Sequence, residues 1–202
     1  MLTGYAALVE ELKLNVPAPF TTSRIEGAVR RSELYADRAL EVYPKKQGHS
    51  GDLKAHLLFG LKYEPTDLGV LVAAFKKLGP ELVRQWVLTE PTGAYARKAW
   101  FLYELLVGQT LDLPNAKSGA YTDVIDPKRH IVGMRKTSTR HRVWDNLLGV
   151  AGFSPTVRRT QKLMRSMEQE LNKEVTAMTK AVDPEILRRA VSYLYRKETK
   201  ST

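Results

Sequence analysis

The sequence predicts a mainly α-helical fold, a compact helical array, and three observations carry that reading. Residues 92–114 contain Tyr95, Ala96, Ala99, Trp100, Phe101, Leu102, Tyr103, Leu105, Leu106 and Val107, interrupted only by Arg97, Lys98 and Glu104. A helix apolar on nearly every side must be surrounded by other elements. Upstream, apolar residues recur at helical steps of three and four between positions 53 and 87. The turns between these runs are short and marked by Gly and Pro, as in antiparallel helical arrays.

Taken in order, residues 3–13 predict a short amphipathic helix with Tyr5, Leu8, Val9 and Leu12 on one side. Pro17 and Pro19 then force an extended connection, because a residue before proline avoids the helical region. Residues 33–43 read as a small β-hairpin: Leu34 and Tyr35 face the alternating Leu40–Tyr43 stretch across Asp37 and Arg38. The Gln47, Gly48, His49, Ser50, Gly51 run is a loop. Asp52 is placed to cap a helix through Leu53, Leu57, Leu58 and Leu61, and Thr66 to cap the next, with Leu68, Leu71, Val72 and Phe75 as its buried stripe. Gly79 and Pro80 close that helix and open another through Leu82, Val83, Trp86 and Val87. Thr92 and Gly108 are expected to bound the apolar hub.

Beyond Pro114 the periodicity fades. Residues 115–156 carry glycine at 119, 133, 149 and 152 and predict a long irregular segment, the kind of stretch that wraps a surface or carries function. Helical spacing returns with Met164, Met167, Leu171, Val175 and Met178. A last helix begins at Asp183 and Pro184, with Ile186, Leu187, Ala190, Val191 and Leu194 as its expected buried face. The reading is of one mainly helical domain spanning residues 1–202: a helical array over 1–114, a basic irregular segment over 115–156, and C-terminal helices over 157–200.

Composition narrows the chemistry. Cysteine is absent, which removes disulfides, thiolate metal sites and a cysteine nucleophile together and fits a cytoplasmic setting. No basic-then-apolar leader opens the chain, and no run approaches the length of a membrane span, so no membrane partner is expected. The net charge of +10 is concentrated. Between positions 128 and 165 lie ten cations (Lys128, Arg129, Arg135, Lys136, Arg140, Arg142, Arg158, Arg159, Lys162 and Arg165) against a single acid, Asp145.

Two patterns are candidates for binding. Arg129, Arg135, Lys136, Arg140, His141 and Arg142, with Trp144 beside them, are residue types that hold phosphates and stack a base, so they form a candidate anion or nucleic-acid site; a solvated loop face is the alternative. Residues 22–27 place Thr22, Glu26 and Gly27 in the order Ser/Thr, three residues, Glu, Gly/Asn, which resembles a short inhibitory pattern of Fic-family enzymes; that resemblance implies a glutamate that pairs with an arginine in the nucleotide site, and an ordinary turn is the alternative. The histidines His49, His56, His130 and His141 form no His-x-x-x-His helical pair, no Gly-x-Ser-x-Gly elbow occurs, and no glycine-rich loop ends in Gly-Lys-Ser/Thr. Neither catalytic, cofactor nor metal residues are assigned.

Several phrases, in order, resemble the N-terminal region that precedes the catalytic core in one branch of Fic-domain proteins. They are residues 60–64 (GLKYE), 91–97 (PTGAYAR), 100–104 (WFLYE), 111–114 (LDLP), 140–147 (RHRVWDNL) and 157–160 (VRRT). Fic enzymes transfer a nucleoside monophosphate, usually AMP from ATP, to a protein hydroxyl through a His-Pro-Phe-x-Asp/Glu-Gly-Asn-Gly-Arg motif. This sequence contains no His-Pro pair, so no catalytic residue carries over. The resemblance implies a non-catalytic regulatory or target-recognition domain, with a Fic catalytic domain in cis or trans, a protein target, or a second copy as partners. The competing class is a stand-alone basic nucleic-acid-binding helical module.

Overall fold

The structure is a computed structural model and describes residues 1–150, 153–168 and 171–198. The chain divides into two compact units, residues 1–158 and 159–202. In the first lie β1 (Leu2–Thr3), α1 (Gly4–Glu11), β2 (Thr21–Ile25), β3 (Arg31–Leu34), β4 (Ala39–Tyr43), α2 (Leu53–Tyr63), α3 (Leu68–Leu78), α4 (Pro80–Thr89), α5 (Ala94–Val107), β5 (Thr122–Asp123), β6 (His130–Ile131), β7 (Lys136–Ser138), β8 (Val143–Asp145) and β9 (Val157–Arg158). In the second lie α6 (Gln161–Glu168), α7 (Leu171–Lys180) and α8 (Pro184–Glu198).

Helix makes up 43% and strand 16%, so the fold is mixed α/β, and the expected mainly α-helical array is corrected. The strands form a four-stranded sheet in the order β1-β2-β4-β3, a three-stranded sheet β5-β8-β7 and a two-stranded sheet β6-β9. Residues 31–43 pair antiparallel, Leu34 opposite Ala39, and Tyr35 N closes the turn by donating to Arg38 O at 2.8 Å. That pair is one half of a larger sheet. β2 lies parallel to β4, Thr21 opposite Ala39 through Ile25 opposite Tyr43, and β1 adds antiparallel to β2.

The reason the sheet was not read lies in β2. Its inward positions are Thr21, Ser23 and Ile25, so two of three buried side chains are small hydroxyls, and alternation of apolar residues never appears. In the expected irregular segment 115–156, β5 through β8 are two or three residues long, too short to show any period.

The helical half is built around α5. Gly108 ends it in the left-handed region at φ 74°, where a Cβ would be strained, and Gly93 rather than Thr92 is its N-cap. Asp52 caps α2 by accepting from Ala55 N at 2.8 Å. Asp67, one residue beyond the expected Thr66, caps α3 by accepting from Val70 N at 3.0 Å. Trp100, Leu102, Ala96 and Ala99 of α5 are fully buried together with Leu71 and Phe75 of α3, Val83 and Trp86 of α4, Leu57 of α2 and Leu8 of α1. Each large side chain so removed from water stabilises the fold by about 2 kcal/mol.

The second unit differs from its sequence expectation. Its apolar side chains do not form a buried stripe: Ile186 is 61% exposed, Leu187 37%, Val191 52%, Val175 57% and Met178 69%, while Leu194's side chain lies outside the described residues. Among the described residues, neither hydrophobic cluster includes one beyond Leu147.

Candidate functional site

Two of the three polar residues that interrupt the hub, Arg97 and Glu104, organise the candidate site. Glu104, on the last turns of α5, has only 13% of its side chain exposed and receives five donors. Trp100 Nε1 donates to Oε1 at 2.7 Å and Leu111 N at 2.9 Å. Arg140 donates through Nη2 to Oε1 at 3.0 Å and through Nε to Oε2 at 3.2 Å. His141 Nε2 lies 3.0 Å from Oε2. Burial alone would raise the Glu104 pKa; Arg140, the Leu111 amide, Trp100 and His141 together hold it below the usual carboxylate range.

Arg140 uses every donor it has. Beyond Glu104, Nη2 reaches Leu111 O at 2.8 Å, and Nη1 reaches Leu113 O and Asn115 Oδ1, both at 3.1 Å. Its guanidinium lies 4.8 Å over the Trp100 ring. His141 is 6% exposed, and burial lowers its pKa despite the neighbouring Glu104. A carboxylate only accepts, so the imidazole carries its proton on Nε2; Nδ1 then accepts from Ser138 Oγ at 2.8 Å.

Two helical turns N-terminal to Glu104, Arg97 is 1% exposed and is held by carbonyl oxygens from three places in the sequence. Nη1 donates to Arg142 O at 2.6 Å, and Nη2 to Ala120 O at 2.7 Å and Thr92 O at 3.4 Å. Gly119 makes room for it: a Cβ there would stand 3.1 Å from Arg97 Cζ, at a backbone φ of +98°. Arg142, itself at φ 50°, donates from Nε to Gly119 O at 2.7 Å.

Of the remaining candidate cations, Arg135 and Arg129 are also engaged. Arg135 grips Asp123 with two bonds of 2.7 Å and lies 4.3 Å over Trp144. Trp144 stacks on Tyr121 at 5.9 Å, and Arg142 covers Tyr121 at 4.8 Å. The two aromatic rings that could stack a base are therefore stacked on each other and capped by guanidinium groups. Arg129 donates to Glu64 O at 2.9 Å and pairs with Asp126 at 3.4 Å. Lys136, on β7, is exposed. Structure thus brings Arg140, His141 and Arg142 together at the hub, groups Arg135 with Trp144, and leaves Arg129 at the C-terminal end of α2.

Thr22, Glu26 and Gly27 fall elsewhere. Thr22 is inside β2, Glu26 N donates to Tyr43 O at 2.9 Å, and Gly27 follows at φ 69°. Thr22 thus lies in a strand, and Glu26 and Gly27 follow it in the connection to β3.

Sequence reasoning missed Glu64, Arg97 and Glu104 as organising residues. An ionisable residue in the middle of an apolar helix was the available signal, because such a group is buried only with partners. Among the described residues no cluster of three His, Asp or Glu is arranged to hold a metal ion, and no helix is long and apolar enough to cross a membrane. A cleft of about 370 Å³ opens beside the network, between Leu88 on α4 and Lys117 in the segment after α5, with Trp100 and Leu113 in its walls.

Comparison with family models, with curated proteins and with solved structures finds no match to this chain.

Proposed function

We propose that the chain is the non-catalytic N-terminal region of a Fic-family AMP-transferase, serving regulation or target recognition for a catalytic domain in cis or in trans. One observation supports the reading above the others. The phrases that carry the resemblance are far apart in sequence yet meet in space: Trp100 and Glu104, Leu111 and Leu113, and Arg140 and His141 share one hydrogen-bond network. Arg97 is bonded to the Arg142 carbonyl within the same group of phrases, and Glu64 O accepts from Arg129. A set of residues that hold one another in place is what an ordered string of matching phrases requires. The absence of any His-Pro pair supports a role without catalysis by this chain.

The nucleic-acid reading draws less support from the same geometry. Phosphate contacts need cations that are free to exchange small counterions. Arg135 and Arg140 are neutralised by carboxylates, and both rings available for stacking are covered.

The test uses radiolabelled ATP, a separately purified Fic catalytic domain and its protein target. The chain alone is expected to transfer no label, and its addition is expected to change the rate or the target of the catalytic domain. Label transfer by the pure chain would overturn the assignment, and so would its having no effect on either quantity.

A further inference from the structure

β3 is the outer strand of the four-stranded sheet, with β4 on one side and no described strand on the other. All of its residues are exposed, and so is every residue from Glu26 to Arg38 around it; Leu34 is 78% exposed. The Tyr35 N–H points toward β4, at Arg38 O, and backbone groups alternate sides along a strand. Arg31 and Glu33 therefore bond toward β4, while the N–H and C=O groups of Ser32 and Leu34 face outward. Such a row is a template for another strand, and proteins blunt it with proline, lysine, a bulge or a covering loop. β3 has no proline or lysine, and its register with β4 runs unbroken from Arg31 opposite Val42 to Leu34 opposite Ala39. It carries instead one charge of each sign, Arg31 and Glu33, on one face.

We propose that β3 is a self-association edge: two copies of the chain join their β3 strands antiparallel about a two-fold axis at Ser32, making one continuous sheet. Charge complementarity selects a second copy and its register. With Ser32 and Leu34 facing outward, two registers pair three strand residues of each copy, one centred on Ser32 and the other on Glu33. Centring on Glu33 sets two carboxylates directly opposite each other, which is destabilising. Centring on Ser32 sets Arg31 of each copy opposite Glu33 of the other, at the closely spaced positions between ladder bonds, and the two Ser32 residues exchange backbone hydrogen bonds across the axis. Both charges are open to such a pair. Arg31 has no ion pair among the described residues, and Glu33 uses only Oε2, which accepts from the Tyr35 hydroxyl at 2.8 Å. The other charges nearby are held or distant: Arg30 pairs with Glu41 at 3.1 Å, Arg38 with Asp37 at 3.6 Å, and Arg24 lies beyond Val42 on β2. Exposed Leu34 comes beside the aliphatic stem of Arg30 from the other copy. A two-fold contact of this kind is self-complementary and closes at two subunits. The inference stands on β3 alone and does not rest on the Fic assignment.

The 202-residue chain is followed by sedimentation over a concentration series, and a dimer is expected whose formation slows amide exchange at Ser32 and Leu34. Glu33→Arg sets arginine against Arg31, and Arg31→Glu sets glutamate against Glu33. Each variant alone should weaken association about tenfold or more. Neither residue belongs to a hydrophobic cluster, and unchanged near-ultraviolet tryptophan signals show that the fold survives the substitution. Mixing the two variants places opposite charges across the axis again, so the mixture should associate as tightly as the parent. A chain that stays monomeric throughout, a dimer with Ser32 and Leu34 unprotected, association indifferent to either variant, or a mixture no tighter than its components each overturns the proposal. So does a monomer whose Ser32 and Leu34 amides are protected only by an added Fic catalytic domain, which would make that domain the occupant.

Discussion

Glu64 lies under the first turn of α1, where its Oε2 accepts the Tyr5 backbone N–H at 2.7 Å, and both residues are buried. Thr3 provides no side-chain cap, so this carboxyl from the end of α2 takes that role across the fold. Burial lifts the Glu64 pKa from 4.5 to about 7, against the opposing pull of the Tyr5 amide and Arg129. A carboxyl whose folded pKa is raised contributes stability that is fully present below the unfolded value and is lost as pH rises through the folded one. Between pH 4.5 and about 7 the protein is therefore expected to lose about 3 kcal/mol from this group. Glu64→Gln keeps an acceptor for Tyr5 and removes the titration. Urea midpoints of that variant should be flatter than those of the parent from pH 5 to 8, and parallel profiles would count against the assignment.

Glu104 should behave in the opposite sense. Its depressed pKa gives stability that is present above the ordinary carboxylate range and disappears as pH falls through the lowered value. These two carboxyls together place the stability maximum near the point where the two windows meet, on the acid side of neutrality. Glu104→Ala leaves Arg140 and His141 buried beside an empty site and is expected to cost about 3 kcal/mol, measured by chemical denaturation. Arg140→Lys removes most of the forked geometry that reaches Leu111, Leu113 and Asn115, and should lose a comparable amount despite retaining the charge.

Gly119→Ala is expected to destabilise by about 2 kcal/mol, because the new methyl meets the Arg97 guanidinium and the backbone sits at positive φ. Thermal melts of the purified variant measure this. A silent substitution would mean that the loop can move off Arg97 without loss.

Binding to a labelled single-stranded oligonucleotide separates the two functional readings. With Arg135 and Arg140 held by carboxylates, a gel shift, if formed at low salt, should be weak, and Lys136→Ala should barely alter it. A tight shift that disappears on neutralising Arg135, Lys136, Arg140 and Arg142 would restore the nucleic-acid module.

How much of this was readable in advance differed by element. The hub α5 and its neighbours α2, α3 and α4 announced themselves through spacing, because each buries a full stripe of large apolar residues. The sheet did not, since Thr21 and Ser23 fill its interior with hydroxyls and its partner strands arrive from sequence positions on both sides. Arg140 and His141 were singled out as cations, but their acceptor was not identified: Glu104 lies more than thirty residues upstream, and a single sequence carries no sign of that closure. The face of α8 was recognised correctly as apolar and wrongly as buried, because periodicity reports which side of a helix avoids water without revealing what covers it.

The bonds from Arg97 and Glu104 to positions 111–142 also set the shortest fragment able to fold by itself. Trimming the chain after α5 would strand a guanidinium and a carboxylate inside an apolar interior with none of their distant acceptors and donors. What reads in sequence as an irregular basic segment is the polar lining of the helical array, and a minimal version should keep everything through Arg158.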